Sequence, residues 1–531
     1  MRKLTLTFIP ISIGSILLLL SWYLSYPASI DSPHDFAYNS FSYLYWLGLA
    51  VLFASFFVVA METKNNSLRW AMALGTVFLM FSQAYFYFTL PTSDAGSFRG
   101  LTEYFISTRD LSSLKPYHSY FQWPLFFVLN KILVAIAGLD LRLCEFILYG
   151  ITGSLFTSFL YLHFSKARKN VHIAVLAFFI ILVYFFNFQF WSPFMLSLCM
   201  IFLLFCFDSL SGKHEVTLAI LTIFAIMTFT HIITPLFFIV YSLAMYILKK
   251  SKKHLNLFIT TLIIYILVLS INPDFASYIN QLREFTFFEY FLGKITVTTV
   301  GSIASQPFVD VIAQLFSRTV VISTMLVTFF GFIILLKRRE LRGTDYAMLL
   351  TGVIFAATLI VAPTNYSQIS NRSYFLICIP ASMGASFLCE SKLGKYFKPL
   401  FLVLLVLFTF ALIHQSFYTQ EIFNQTRVEY QYANFMIETI NWSAPASMLS
   451  PYRLKLYLET KSSSGSVTFD HETTARALIN YNYVVYNVGL ARSPIAINYS
   501  VKESFEQFDN SHFNLIYNSG NFSYVFFKQF S

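Results

Sequence analysis

The feature that most constrains this chain is a series of long apolar runs with almost no charge. They lie near 4–25, 41–61, 69–91, 122–137, 143–164, 171–190, 193–208, 215–230, 233–248, 255–271, 311–336, 344–362, 373–389 and 398–416. A run of eighteen or more uncharged apolar residues matches the hydrocarbon thickness of a bilayer. Over the whole sequence 56% of residues are hydrophobic and only 12% charged, where a soluble domain is about one-quarter charged. The expected class is therefore mostly α: a polytopic transmembrane helical bundle over residues 1–416, built from about 12–14 apolar segments. Met1-Arg2-Lys3 before Leu4–Tyr23 resembles the opening of a signal peptide. The run is long and lacks a convincing cleavage site, so a first transmembrane helix is expected instead.

Beyond Ser416 the pattern changes to mixed polar sequence rich in Asn, Ser and Tyr. Residues 417–531 are expected to form a small soluble α/β domain. Tyr430–Ile440 has a helical pattern, and "SMLSPYRLKLYLE" suggests a strand running into a helix. "NYVVYNV" suggests a strand. "FNLIYNSGNFSYVFF" suggests a hairpin, with Asn518 to Asn521 between two β-rich runs.

The net charge of +10 raises the question of nucleic acid. The basic residues argue against it, because they form short clusters between apolar runs: Lys166, Arg168 and Lys169; Lys249, Lys250, Lys252 and Lys253; Lys337, Arg338, Arg339 and Arg342; and Lys392 to Lys398. Such clusters mark cytoplasmic loops. No stripe faces a single polyanion, so no nucleic-acid partner is expected. With the lysine-rich loops inside, the segments 26–40, 91–121, 187–193, the turn at His231, 272–310, 362–372 and the C-terminal domain fall outside. The predicted location is a multi-pass integral membrane protein of the cell membrane, with an extracytoplasmic C-terminal domain. Of seven N-x-S/T sequons, only Asn65 falls on the inner side; Asn365, Asn371, Asn424, Asn441, Asn498 and Asn521 fall outside. One parity problem remains: 122–137 and 143–164 lie where a single crossing is needed. The shorter, 122–137, is expected to dip into the membrane and return or to lie along its surface.

The five cysteines sit in or beside apolar runs without metal spacing, as small buried hydrophobes do. No D-x-D or E-x-D pair stands in the first long outer loop. No cofactor is required on this reading, and a divalent metal lacks a ligand motif.

Chemistry on exported material would use the outer loops, and three of them concentrate polar groups. "TLPTSDAGSFRGLTEYF", Thr89–Phe105, places Asp94 just beyond Pro91, which halts the preceding helix. Asp94 also suits the N-cap of a helix over Ala95–Ser107. Arg99 and Glu103, four apart, suit a surface pair on it. "LKPYHSYFQWPLFF", Leu114–Phe127, holds Tyr117, His118, Tyr120 and Trp123, which suit either an interfacial aromatic belt or a substrate-lining patch. "APTNYSQISNRSYF", Ala362–Phe375, sets Arg372 at the outer mouth of a helix, as a snorkelling side chain or a phosphate ligand.

Taken in order, these stretches resemble the GT-C superfamily of membrane glycosyltransferases, and more narrowly archaeal proteins with a dolichyl-phosphate-mannose-protein mannosyltransferase-like membrane domain. "SDAGSFRGLTEYFISTRDL" is similar to the family's first external loop. "YHSYFQWPLFFVLNKILVAIAGLDLRLCEFIL", "NFQFWSPFMLSLCMIFLLF" and "MTFTHIITPLFFIV" are similar to the segments that follow. The likeness covers most of 69–250 and, more loosely, the Arg372 loop and the C-terminal domain. The chain departs from many relatives in that Asp94 is followed by Ala95-Gly96 rather than by an acidic, aromatic or His residue. The resemblance implies an inverting transfer of sugar from a polyprenyl-phosphate donor to a protein or glycan acceptor at the outer face, among membrane lipids. Asp94 would be the base and Arg372 the phosphate-stabilising cation. Arg99, Glu103, His118, Tyr120 and His231 would contact substrate. The alternative is a polytopic transporter or lipid or polysaccharide flippase, which would carry ionisable residues in mid-membrane.

Overall fold

The computed structural model describes residues 2–25, 43–62, 123–139, 141–164, 192–209, 214–271, 343–361 and 367–399. It also describes helical pieces within 98–106 and 326–336, Phe435, and five strands within 447–528. The described residues are mostly helical, and the expected runs that fall on them become helices with boundaries shifted by a few residues; the runs at 69–91 and 171–190, most of 311–336 and all of 398–416 beyond 399 lie outside the described residues. They are α1 (Arg2–Ser25), α2 (Tyr43–Glu62), α3 (Leu125–Ala137), α4 (Leu141–Phe164), α5 (Pro193–Ser209), α6 (His214–Thr228), α7 (Thr234–Lys249), α8 (Lys252–Ile271), α9 (Gly343–Val361) and α10 (Ser367–Glu390).

Packing follows residue size. α1 and α2 meet backbone to backbone because Gly14 and Gly48 face each other; a methyl group on either would come within 3.1 Å of the other's carbonyl oxygen. Small residues are what let apolar helices approach this closely. The same device recurs further along. Gly352 of α9 accepts the ring of Pro380 from α10, and Gly384 of α10 touches Gly331 and the Val327 carbonyl on the 326–336 piece. A Cβ on Gly331 would stand 2.6 Å from the Gly384 Cα. Gly384→Leu is therefore expected to destabilise the chain by about 1–3 kcal/mol or more through overpacking. Thermal unfolding of the purified variant checks this, and an unchanged midpoint would refute the close packing.

α5 is the centre of the bundle: thirteen of its 17 residues are buried. A helix apolar on every side is buried on every side. Phe202 and Phe205 meet Phe156 and Phe159 of α4, and Phe205 also meets Phe237, Phe238 and Tyr241 of α7. α8 divides differently. His254, Leu257, Thr261, Tyr265 and Val268 form a buried seam with three- and four-residue spacing. Ile259, Ile263, Ile266, Leu267 and Ile271 lie exposed.

α3 bears on the parity problem. It has 13 residues, about 20 Å at 1.5 Å per residue, against about 30 Å of hydrocarbon. It stops at Gly138, whose φ of 63° is left-handed and costs glycine nothing. Phe126, Phe127 and Asn130 are buried on one face while Ile132 and Ile136 are exposed. An element of this length is shorter than the hydrocarbon layer is thick, in keeping with the surface or re-entrant course expected for 122–137.

The direction of the helices fixes two ends of the bundle. α7 begins at the His231 turn and ends at Lys249, whose side chain packs over Gly343, the first residue of α9. Phe237, near the start of α7, meets Phe355, near the end of α9. α9 therefore returns towards the His231 turn, and α10 starts there after a five-residue connection. The Gly352–Pro380 contact brings Gly343 level with about Cys389 at the other end.

The C-terminal strands are β1 (Ser447–Leu449), β2 (Ser466–Thr468), β3 (Tyr483–Asn487), β4 (Phe513–Asn518) and β5 (Ser523–Lys528), in the order β2-β1-β3-β5-β4. β1 pairs in parallel with both β2 and β3; β5 pairs antiparallel with β3 and β4. The expected strands lie at β1 and β3 and the expected hairpin at the β4–β5 pair; the helix expected after β1 lies outside the described residues. Of the helix expected over Tyr430–Ile440, Phe435 is described and is helical.

Candidate functional site

Of the side chains singled out from sequence, Asp94, Arg99, Glu103, His118 and Tyr120 lie outside the described residues. The neighbourhood of Asp94 is visible through the residues that follow it. Phe98, Leu101, Thr102 and Phe105 are helical and buried, at the spacing of one helix face. Phe98 packs edge-on against Phe126 of α3, with centroids 6.0 Å apart, and Phe105 lies 5.9 Å from Phe127. Lys131 of α3 donates to the Phe105 carbonyl at 3.2 Å and stands 5.4 Å from its ring centroid. The segment after Asp94 is thus clamped to α3 by aromatic contacts and one lysine.

Arg372 belongs to α10 itself, in its second turn, rather than to the preceding loop. The mostly polar run Ser367 to Asn371 hid this helix start from a hydropathy reading, although nothing in it breaks a helix. The position lies at the same end of the bundle as the His231 turn.

His231 is the one proposed contact residue whose side chain is described, and it is buried between α6 and α7. Ile233, at the N-cap position of α7, has no oxygen to offer the first turn. His231 replaces it: the backbone N–H groups of Ile233 and Thr234 both point to its Nδ1 at 3.3 Å, and Thr234 Oγ1 lies 2.8 Å from the same atom. Nδ1 is then the acceptor of the neutral ring, and Nε2 carries the proton. Phe194 of α5 packs edge-on to the imidazole at 5.1 Å, and Tyr265 of α8 donates to the Ile232 carbonyl at 3.0 Å. The immediate task of His231 is to start α7. His231→Ala should cost about 0.5–2 kcal/mol, the usual cost of losing a cap. His231→Asn, which offers another acceptor, should recover part of it. Equal unfolding midpoints for the two variants would contradict the capping role.

At the opposite end lies a cluster that the sequence did not disclose. Asp208, the second-last residue of α5, is buried. Its Oδ2 accepts from Tyr241 Oη of α7 at 3.1 Å, and its Oδ1 from Lys253 Nζ of α8 at 3.1 Å. His254 Nε2 lies 3.7 Å from Oδ1, an ion-pair distance too long for a hydrogen bond. Asp345, in the first turn of α9, is buried at the same end. The contacts to Asp208 span 33 and 45 residues of sequence, so no local motif marks them. The available signal was a single acid closing an otherwise uncharged helix.

Among the described residues, no three His, Cys, Asp or Glu side chains stand together as a metal site. One helix among them, Lys252–Ile271, combines the length and apolarity needed to cross a bilayer, with mean hydropathy 2.1. No protein-family model matches the chain, and no curated protein matches it.

Proposed function

We propose that the chain is a multi-pass membrane glycosyltransferase that moves a sugar from a polyprenyl-phosphate donor to a protein or glycan acceptor at the outer face, with inversion. The observation that supports this most is the polarity of the bundle. Lys249, Lys250, Lys252 and Lys253 mark one end; the His231 turn and the Arg372 position of α10 share the other. Under the positive-inside rule the lysine end is cytoplasmic. The end carrying Arg372 then opens where a lipid-linked sugar, rather than a nucleotide sugar, is at hand. The exposed isoleucine stripe of α8 suits acyl chains, since soluble surfaces seldom carry such a patch. The 15- to 17-residue helices α5, α6 and α7 are shorter than an average bilayer. Thinning and snorkelling flanks accommodate that mismatch.

The chemistry asks for few groups. The donor phosphate is a good leaving group as it stands. Asp94 takes the proton of the acceptor while its oxygen or nitrogen attacks the anomeric carbon from the face opposite the phosphate. Arg372 pairs with the departing phosphate, for which its planar guanidinium is suited. Arg99, Glu103, His118 and Tyr120 belong to the same outer surface in this reading. In this reading the 417–531 domain, on the same side of the membrane, helps to hold the acceptor. No metal or cofactor enters the scheme.

Arg372→Gln should reduce transfer at least about tenfold and Arg372→Lys less, because the fork geometry is lost before the charge. The assay incubates membranes containing the full chain with labelled polyprenyl-phosphate sugars and measures transferred label. Full transfer by Arg372→Gln would remove Arg372 from the mechanism. The alternative, a transporter or flippase, draws support from the buried Asp208, Lys253 and Tyr241, because intramembrane ionisable groups often mark transport paths. Asp208 and Lys253 stand at helix ends rather than at mid-depth, which favours the transferase. Lipid-sugar translocation without any transfer would reverse that preference.

A further inference from the structure

We infer that the lysine end of the bundle is a docking surface for anionic phospholipid headgroups; this rests on the membrane reading above. Lys249, Lys250 and Lys252 are exposed around the α7–α8 turn, and Lys392 and Lys395 are exposed just beyond α10. The antiparallel course of α9 and α10 brings the two groups to one end, since Lys249 packs over Gly343 and Gly343 lies level with about Cys389. Among the described residues, acids at this end do little to cancel them. Asp208 and Asp345 are buried, Asp208 is already paired with Lys253, and Glu390 is half-buried. Glu215, at the start of α6, is the exposed acid described there.

A second observation distinguishes this surface from an ordinary solvated charge cluster. Exposed apolar side chains alternate with the lysines: Ile247 and Leu248 precede Lys249 and Lys250, and Leu393 and Tyr396 flank Lys395. Tyr396 is 70% exposed, with Lys395 Nζ 5.8 Å from its ring centroid. An aqueous surface would leave these side chains stranded. At headgroup level the rings and aliphatic side chains meet the acyl boundary while the ammonium groups reach the phosphates. The backbone of Lys250 holds the turn in place, with φ 47° and its N–H donating to the Tyr246 carbonyl. Three lysines are thereby presented on a tight turn rather than on a loose tail.

Each lysine near an anionic surface strengthens attraction by roughly fivefold. The test reconstitutes the full chain in nanodiscs of phosphatidylcholine alone or of equal parts phosphatidylcholine and phosphatidylglycerol. It then counts retained lipid of each kind by native mass spectrometry. The wild type should retain phosphatidylglycerol preferentially. The combined variant Lys249→Gln, Lys250→Gln and Lys252→Gln should lose that preference by at least about tenfold, with an unchanged unfolding midpoint in phosphatidylcholine. Should the triple variant unfold, Lys392→Gln with Lys395→Gln provides the same comparison from α10. Equal retention of both lipids by the wild type, or a preference that survives both variants, overturns the inference. Extraction of the chain from native membranes by alkaline carbonate would instead overturn the membrane reading, so the two failures are distinguishable.

Discussion

Asp94→Asn is expected to abolish most sugar transfer while leaving the chain folded and in the membrane. Asparagine keeps the size and the capping oxygen of aspartate, so a residue that only starts a helix survives the change. A base does not survive it, because the amide cannot accept the proton released by the attacking acceptor. A positioned base contributes roughly 10²–10⁴-fold, and the loss should fall in that range. The same membranes and labelled donor provide the measurement, with donor binding followed separately. If transfer remains near normal, Asp94 is a cap and the base lies elsewhere. Loss of donor binding together with transfer would point to a misplaced loop. The packing of Phe98 and Phe105 against α3 provides a control for the fold of this segment.

Asp208→Ala should give the largest loss of stability. The carboxylate is buried and joins three helices, accepting from Tyr241 on α7 and Lys253 on α8 while closing α5. Alanine leaves a buried hydroxyl and a lysine that is 30% exposed facing an empty position. Removing one partner of a buried ion pair typically costs about 3–5 kcal/mol. Partial exposure of the lysine places this site towards the lower end of that range. Asp208→Asn keeps an acceptor for Tyr241 and loses only the charge, so its cost should be smaller. Thermal unfolding of the two variants in one lipid tests the order. An Asp208→Ala midpoint equal to wild type would mean that the cluster holds nothing together. Because Asp208 lies at the end opposite His231 and Arg372, the Asp208→Asn variant should keep transfer activity wherever it stays folded. Selective loss of transport by that variant would favour the alternative function.

Much of the fold was legible in the sequence because it is local. A helix such as α8 follows from twenty consecutive residues, and its buried and exposed faces follow from their spacing. The β4–β5 hairpin follows from a turn between two β-rich runs. The start of α10 lies several residues before the expected run because hydropathy registers greasiness, and Ser367, Gln368, Ser370 and Asn371 are polar yet helical. His231 shows a different limit. Its position between two apolar runs was evident, but its role as the acceptor for α7 depends on the side-chain geometry of a turn.

The sequence by itself determined the apolar runs, the change of character after Ser416, the lysine clusters and the order of the polar segments between the runs, since each is a sum over neighbouring residues. Only the tertiary structure decided which helices touch and which polar groups meet. Gly14 found Gly48, Gly352 found Pro380, and Asp208 found Tyr241 and Lys253, across separations with no periodic trace. Such pairings depend on how close two backbones approach and on whether a buried charge finds a partner. Both are properties of the packed chain rather than of any stretch within it.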